Sequence, residues 1–120
     1  LTRIADLFWT WSFLDQIKNE MNFVGMNYYG AEFVQGFSAT LLKDQEYSEA
    51  GRAVAPEGLY HLLRRTHDRY QLPIFVTENG LADATDILRP SSILEHLTAL
   101  SFAIKDQVPV PGYIFWTVSD

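Results

Sequence analysis

The sequence predicts an α/β fold built on a parallel β-sheet, and three observations lead to this prediction. Short apolar segments without polar alternation lie at residues 23–30, 74–76 and 112–117, as is typical of strands buried on both faces. Segments with helical periodicity separate these strands. Each strand ends at a polar or aromatic residue. Strands that alternate with helices form parallel sheets, either open and doubly wound or closed into a (β/α)8 barrel.

The composition fits one packed domain. The chain has 120 residues, of which 48% are hydrophobic and 14% aromatic, enough apolar material for a core. The formal net charge of −6 provides no basic surface for nucleic acid or for anionic lipid. The sequence has no cysteine, and its three histidines lack metal-ligand spacing. We therefore expect no nucleic acid partner, no bound metal and no cofactor.

The first third of the chain predicts a helix, a strand and a long connection. Apolar residues at 13, 14, 17 and 21 have helical spacing, and Ser12 is placed to cap that helix. The apolar and aromatic segment 23–30 then predicts a buried strand that ends at Gly30. No period holds from Ala31 to Ala55. An irregular connection of this length in a compact domain indicates a functional loop.

The remaining elements follow in the order helix, strand, helix, strand. Pro56 suits the first turn of a helix, whose apolar stripe is Leu59, Leu63, Thr66 or His67, and Tyr70. Pro73 stops that helix before the second strand, 74–76. A third helix is predicted from about Ser91, with a core-facing stripe of Ile93, Leu97, Leu100 and Ile104. Residues 112–117 form the third strand.

The residues at the strand ends distinguish between an open doubly wound sheet and a (β/α)8 barrel. No glycine-rich phosphate loop follows any strand, which disfavours a nucleotide-binding doubly wound sheet. Asn27, Glu78 and Trp116 each lie where an apolar strand finishes, and in barrels the reactive residues come from the carboxyl ends of several strands. Glu78 before Asn79-Gly80 is ordinarily a solvated turn residue. On a barrel rim it is a candidate catalytic carboxylate.

Five ordered motifs together resemble the last third of a family 1 glycoside hydrolase. They are Phe23–Tyr29 (FVGMNYY), Pro56–Tyr60 (PEGLY), Val76–Gly80 (VTENG), His96-Leu97 and Gly112–Asp120 (GYIFWTVSD). The resemblance covers about residues 12–120 and implies the C-terminal part of a (β/α)8 barrel, about strands six to eight with the intervening helices. Residues 1–120 are then a single partial domain.

This resemblance assigns roles to four residues. Glu78 matches the nucleophile of a retaining β-glycosidase, and Tyr29 matches the tyrosine that orients it. Asn27 and Trp116 match residues that contact the sugar. The family's acid/base lies in an Asn-Glu-Pro motif, which this sequence does not contain. We expect a fragment that is inactive by itself.

One segment points to a branch within the family. Ser48-Glu49-Ala50-Gly51-Arg52 stands where many β-glucosidases have Thr-Asp-Met-Gly-Trp, and it is similar to the branch of galactolipid:galactolipid galactosyltransferases of the chloroplast outer envelope. The resemblance implies a β-glycoside substrate with a galactolipid headgroup, and membrane association only through N-terminal regions absent from this sequence. Two alternatives stay open: a hydrolytic β-glucosidase or β-galactosidase, and a non-catalytic fragment or carbohydrate-binding piece.

Overall fold

A computed structural model describes residues 10–36 and 38–117 of the chain. Three helices lie in these ranges, α1 (Ser12–Ile17), α2 (Pro56–Tyr70) and α3 (Arg89–Lys105). The strands are β1 (Val24–Tyr28), β2 (Phe33–Gln35), β3 (Ser38–Thr40), β4 (Ile74–Asn79) and β5 (Gly112–Phe115). Residues 118–120, which end the last family motif, lie outside the described residues.

The main sheet has three strands in the order β1-β4-β5, and both pairings are parallel. The prediction of a parallel sheet with helical crossovers is therefore confirmed. Because all three strands run the same way, their carboxyl ends meet at one edge. Tyr28, Asn79 and Phe115 end the strands at that edge.

One face of the sheet is covered by α2 and α3. Side chains of β1 and β4 alternate between buried and more exposed positions, with Val24, Met26, Ile74 and Val76 pointing into the core. From α2, the buried residues are Leu59, Leu63 and Thr66, which confirms the stripe predicted for that helix. Apolar burial on this side supplies the main stabilisation of the fold.

The stripe predicted for α3 is confirmed at Leu100, which is buried in the core, but not at Leu97 and Ile104. Leu97 and Ile104 are 40% and 47% exposed, and the buried residues of this helix are Ser92, His96, Ala99, Leu100 and Ala103. Small side chains let a helix approach its neighbours closely, so the face with Ala99, Leu100 and Ala103 packs inward, whereas Leu94 and Leu97 stay exposed. The helix also begins two residues before the predicted Ser91.

The opposite face of the sheet is open among the described residues. Phe23 and Ile114 are 53% and 55% exposed. The Phe23 ring packs edge-on against Phe75, with 5.2 Å between the ring centroids. Asn27 is exposed on the same side, in alternation with buried Met26. We refer to this surface, formed by Phe23, Asn27, Phe75, Thr77 and Ile114, as the open face.

The connection between β1 and α2 contains more regular structure than expected. Phe33–Gln35 and Ser38–Thr40 pair as the antiparallel strands β2 and β3, and Ala53 makes isolated bridges to Ala31 and Tyr47. The bridge to Ala31 holds Ala53 close to the end of β1. In the part of the chain that the structure describes, no helix has the length and apolar character needed to cross a bilayer.

Candidate functional site

A β-bulge brings Glu78 out of the core. Met26 pairs with Val76, but the next residue of β1, Asn27, pairs with Glu78, so Thr77 is an extra residue in β4. Along a regular strand Glu78 would point to the same face as buried Val76. The bulge instead aligns the carboxylate with Asn27 of the open face, which is a recurrent use of bulges beside functional sites. Glu78 is half-buried at this position.

Tyr29 contacts the displaced carboxylate directly. Its phenol O–H donates a hydrogen bond to Oε2 of Glu78, so the structure brings together these two predicted site residues. Partial burial and the hydrogen bond to Glu78 raise the pKa of Tyr29 to about 12. The phenol is therefore protonated, and a donor, at neutral pH. The Arg52 guanidinium lies 5.9 Å from the centre of the Tyr29 ring, and its positive charge acts in the opposite direction on the pKa of Tyr29.

Asn27 lies beside Glu78 in the sheet register. Its Oδ1 accepts a hydrogen bond of 2.7 Å from the Thr77 hydroxyl. Since this contact uses the amide oxygen, it orients the Asn27 side chain with its NH₂ group available to donate. An amide donor next to a carboxylate is suited to binding a hydroxyl group.

Trp116 follows β5 at the same edge of the sheet. Its backbone N–H donates to Asn79 O at 2.8 Å, and the side chain is 55% exposed. Trp116 and Tyr29 both line a cavity of about 280 Å³, together with Ser48, Ala50, Arg52, Gly80, Leu81, Ala82, Arg89 and Thr117. The lining of this cavity does not include Glu78. An exposed indole is a suitable surface for the apolar face of a sugar ring.

Sequence reasoning missed two residues that hold the site together. Asn79 is 2% exposed; its Nδ2 donates to Tyr28 O at 2.7 Å, and its Oδ1 accepts from the Tyr113 hydroxyl at 2.5 Å. The Asn79-Gly80 pair predicts a turn, and no sequence pattern marks the Asn79 amide as buried. Only the structure shows that β4 extends three residues beyond its apolar segment.

Asp83 was also missed, and it organises the loop between β4 and α3. One carboxylate oxygen accepts from the Thr85 hydroxyl at 2.7 Å, and the other accepts from the backbone N–H groups of Leu88 and Arg89 at 2.7 and 3.1 Å. These hydrogen bonds lower the pKa of Asp83 to about 2. Among residues 10–36 and 38–117, no group of three or more His, Asp or Glu side chains is arranged to hold a metal ion.

Comparison of the sequence with protein families finds that the profile of glycosyl hydrolase family 1 matches residues 6–120. The chain is 49% identical over 111 residues to the chloroplastic galactolipid galactosyltransferase SFR2 of Arabidopsis thaliana, an alignment covering 90% of this chain and 18% of that protein. It is 30% identical over 122 residues to a β-galactosidase of Sulfolobus acidocaldarius, covering 88% of this chain and 25% of that protein. The chain thus spans a quarter or less of the length of these relatives.

Solved structures of β-glycosidases share the fold. Fpglu1 from Fervidobacterium pennivoraus superposes with a TM-score of 0.86 and 31% identity, over 95% of this chain and 30% of that one. A hyperthermophilic β-glucosidase from Pyrococcus furiosus gives a TM-score of 0.83 and 27% identity, over 98% of this chain and 28% of that one. With the parallel order β1-β4-β5, this similarity confirms the predicted C-terminal portion of a (β/α)8 barrel.

Proposed function

Because the chain belongs to glycosyl hydrolase family 1, we propose that it forms the nucleophile side of a retaining β-glycosidase-type active site that transfers β-galactosyl units between galactolipids. One observation carries the catalytic part of this proposal. The carboxylate of Glu78 is displaced from the core by a bulge and held by the Tyr29 phenol at the carboxyl edge of the sheet. Barrel enzymes have their reactive groups at this edge.

The proposed reaction has two displacements. A carboxylate oxygen of Glu78 attacks the anomeric carbon, the bond to the leaving oxygen breaks, and a second carboxylic acid protonates the leaving group. The resulting glycosyl ester on Glu78 is then attacked by a hydroxyl group, which gives its proton to that second carboxylate. Each displacement inverts the anomeric carbon, so the β configuration is retained.

The residues around Glu78 have distinct parts in this scheme. Tyr29 binds Oε2 of the carboxylate, which leaves Oε1 as the attacking oxygen and holds it in line with the sugar. Asn27 donates to a hydroxyl group of the donor sugar, and Trp116 packs against the face of its ring. The second carboxylic acid belongs to the Asn-Glu-Pro motif of the family, which is absent from this sequence.

The choice of galactolipid as substrate is supported by the similarity to SFR2. The identity with that galactolipid galactosyltransferase is 49%, against 30% with the Sulfolobus β-galactosidase. The SFR2 relatives from Arabidopsis and rice are both named chloroplastic, so we propose a chloroplast location, at the outer envelope. Hydrolysis of β-glucosides or β-galactosides is the second candidate, favoured by the similarity to a β-galactosidase and to a β-glucosidase.

The decisive experiment replaces Glu78 in the full-length protein. Glu78→Ala is expected to lower turnover of galactolipid on the order of 10⁴-fold or more, as is usual when a covalent nucleophile is removed. Glu95→Gln, an exposed glutamate on α3, is the matched control and should keep full activity. Azide added to Glu78→Ala should restore turnover of an activated aryl β-galactoside and give the α-galactosyl azide, because one displacement replaces two.

Product analysis separates the two candidate functions. Oligogalactolipid and diacylglycerol, resolved by thin-layer chromatography, are the expected products of transfer, whereas free galactose or glucose would support hydrolysis. Undiminished turnover by Glu78→Ala would overturn the proposed nucleophile.

A further inference from the structure

Asn79 is the last residue of β4, and its side chain contacts the two neighbouring strands that carry the proposed site. Its side-chain NH₂ donates to Tyr28 O on β1, and its amide oxygen accepts from the Tyr113 hydroxyl on β5. Its own backbone carbonyl accepts from the N–H of Trp116. Within β4, Asn79 is the residue directly after Glu78.

Two of these contacts adjoin a proposed site residue directly. The Tyr28 carbonyl belongs to the peptide group that continues into Tyr29. The Asn79 carbonyl binds the main chain of Trp116 itself. A shift of the Asn79 amide would therefore move the Tyr29 phenol relative to the Glu78 carboxylate, and β5 relative to both.

The hydrogen bonds of the Asn79 amide are shielded from solvent. Asn79 is 2% exposed and Tyr113 is half-buried, so water does not compete freely for these hydrogen bonds. The neighbouring Gly80 lets the main chain of Trp116 approach closely, since a Cβ at position 80 would lie 1.7 Å from Trp116 O. The main chains that follow β4 and β5 are consequently in close contact at this junction.

We infer that Asn79, supported by the Tyr113 hydroxyl, is a positioning residue that sets the distance between the Glu78 carboxylate and the Tyr29 phenol. This inference rests on the proposed role of Glu78 as nucleophile. Asn79 does not touch substrate in this scheme. It acts through Tyr28 on Tyr29 and through its own position in β4 on Glu78.

The chemistry at position 79 requires a donor and an acceptor together. An ionised aspartate keeps the acceptor for Tyr113 but cannot donate to Tyr28 O, and it places negative charge against a carbonyl oxygen. A protonated aspartic acid regains one donor. Tyr113→Phe removes the other contact and leaves the Asn79 donor in place.

The test uses steady-state kinetics of the full-length protein. We expect Asn79→Asp to lower kcat about 100-fold near neutral pH and Tyr113→Phe about tenfold, with smaller changes in KM. Tyr60→Phe is the matched control for Tyr113→Phe, because the Tyr60 hydroxyl also donates to a side-chain oxygen, that of Asp106 at 2.6 Å, but lies away from the site. It should keep full activity.

Two readouts distinguish positioning from general destabilisation. In a Tyr29→Phe background the effect of Asn79→Asp should shrink to threefold or less, because the contact it positions is gone. The activity of Asn79→Asp relative to the unaltered protein should also rise as the pH is lowered from about 8 to about 5, since protonation of the aspartate restores a donor. Unfolding midpoints measured in parallel show whether each variant is folded at the assay temperature.

The possible outcomes are separable. Full additivity of Asn79→Asp with Tyr29→Phe, or a Tyr113→Phe enzyme as active as Tyr60→Phe, would overturn the positioning role while leaving Glu78 as nucleophile. If Asn79→Asp does not fold, Tyr113→Phe and its combination with Tyr29→Phe decide the question by the same criteria. If Glu78→Ala retains activity, the proposed function itself fails.

Discussion

The two faces of the three-stranded sheet are built for different purposes. On the helix-covered face, Val24, Met26, Ile74 and Val76 are buried against α2 and α3, with apolar contacts supplied by this chain. The open face carries polar Asn27 and Thr77 together with exposed Phe23 and Ile114. The first face stabilises the fold, whereas we propose that the end of the second presents groups to a ligand. Packing therefore constrains the residues on the covered face, and under this proposal chemistry constrains those at the end of the open face.

Consecutive residues at the end of β4 show how the chain changes from one purpose to the other. Glu78 is half-buried and contacts the Tyr29 phenol, while Asn79 is buried and binds two neighbouring strands. The bulge at Thr77 makes this division possible, because it aligns Glu78 with the open face. A rigid junction behind the carboxylate is what allows a partly exposed group to have a fixed position.

The largest effect on this comparison is expected from a substitution at Gly80, directly after β4. A Cβ at Gly80 would lie 1.7 Å from Trp116 O, a backbone atom that cannot move aside, so Gly80→Ala should prevent stable folding of the carboxyl edge. Gly25→Ala is the control: its Cβ would lie 3.5 Å from Thr77 Cγ2 on the open face, an ordinary contact. Soluble yield and thermal unfolding of the full-length variants measure the difference. Equal stability of the two would contradict the tight junction.

A leucine pair tests the helix-covered face. Leu63 of α2 is fully buried, and Leu63→Ala should lower the free energy of unfolding by about 2–5 kcal/mol because it leaves a cavity. Leu94 of α3 is 67% exposed, and Leu94→Ala should change it by less than about 0.5 kcal/mol. Chemical denaturation of both variants provides the comparison. Similar losses would mean that the outer surface of α3 is also covered in the full protein.

Removal of the Tyr29 hydroxyl tests the open face and should affect activity more than stability. A hydrogen bond to an ionised group contributes about 1.5–3 kcal/mol, so Tyr29→Phe should lower kcat/KM roughly 10- to 100-fold with little change in the unfolding midpoint. Because the pKa of Tyr29 is about 12, the phenol is a donor across the neutral range. The ratio of kcat/KM for the unaltered protein to kcat/KM for Tyr29→Phe should therefore stay constant between about pH 6 and pH 9. A ratio that falls to about one below pH 9 would show that Tyr29 loses its proton at a much lower pH.

The sequence predicted the order of the helices and of the three main-sheet strands, but neither the pair β2–β3 nor how the strands are aligned. Proline at 56 and 73, with the apolar spacing of Leu59 and Leu63, was enough to locate α2 and the beginning of β4. The bulge at Thr77 and the contacts of Asn79 depend on which residues of different strands are neighbours, and no local pattern reports that. The prediction for α3 failed at Leu97 and Ile104 for a related reason: close packing brings Ala99 and Ala103 to the core beside Leu100 and leaves those two residues exposed. The site residues Glu78 and Tyr29 were recognised through family motifs, since the residues alone also allow a solvated turn.

The smallest expected effect concerns a carboxylate at the same edge that serves structure and not chemistry. Asp83 lies five residues after Glu78 in the sequence, but its oxygens accept from Thr85 and from two backbone N–H groups at the beginning of α3. These contacts hold the pKa of Asp83 at about 2 in the folded chain, below its ordinary value of 3.8. A depressed carboxyl pKa stabilises the fold fully above about pH 4, and this contribution is lost as the pH falls towards 2.

The unfolding midpoint of the unaltered protein should therefore fall more steeply between about pH 4 and pH 2 than that of Asp83→Asn. Asp86→Asn, an exposed carboxylate in the same loop, should retain the steep dependence. Identical slopes for the unaltered protein and Asp83→Asn would mean that Asp83 does not hold the beginning of α3, and that the loop after β4 is fixed by its packing alone.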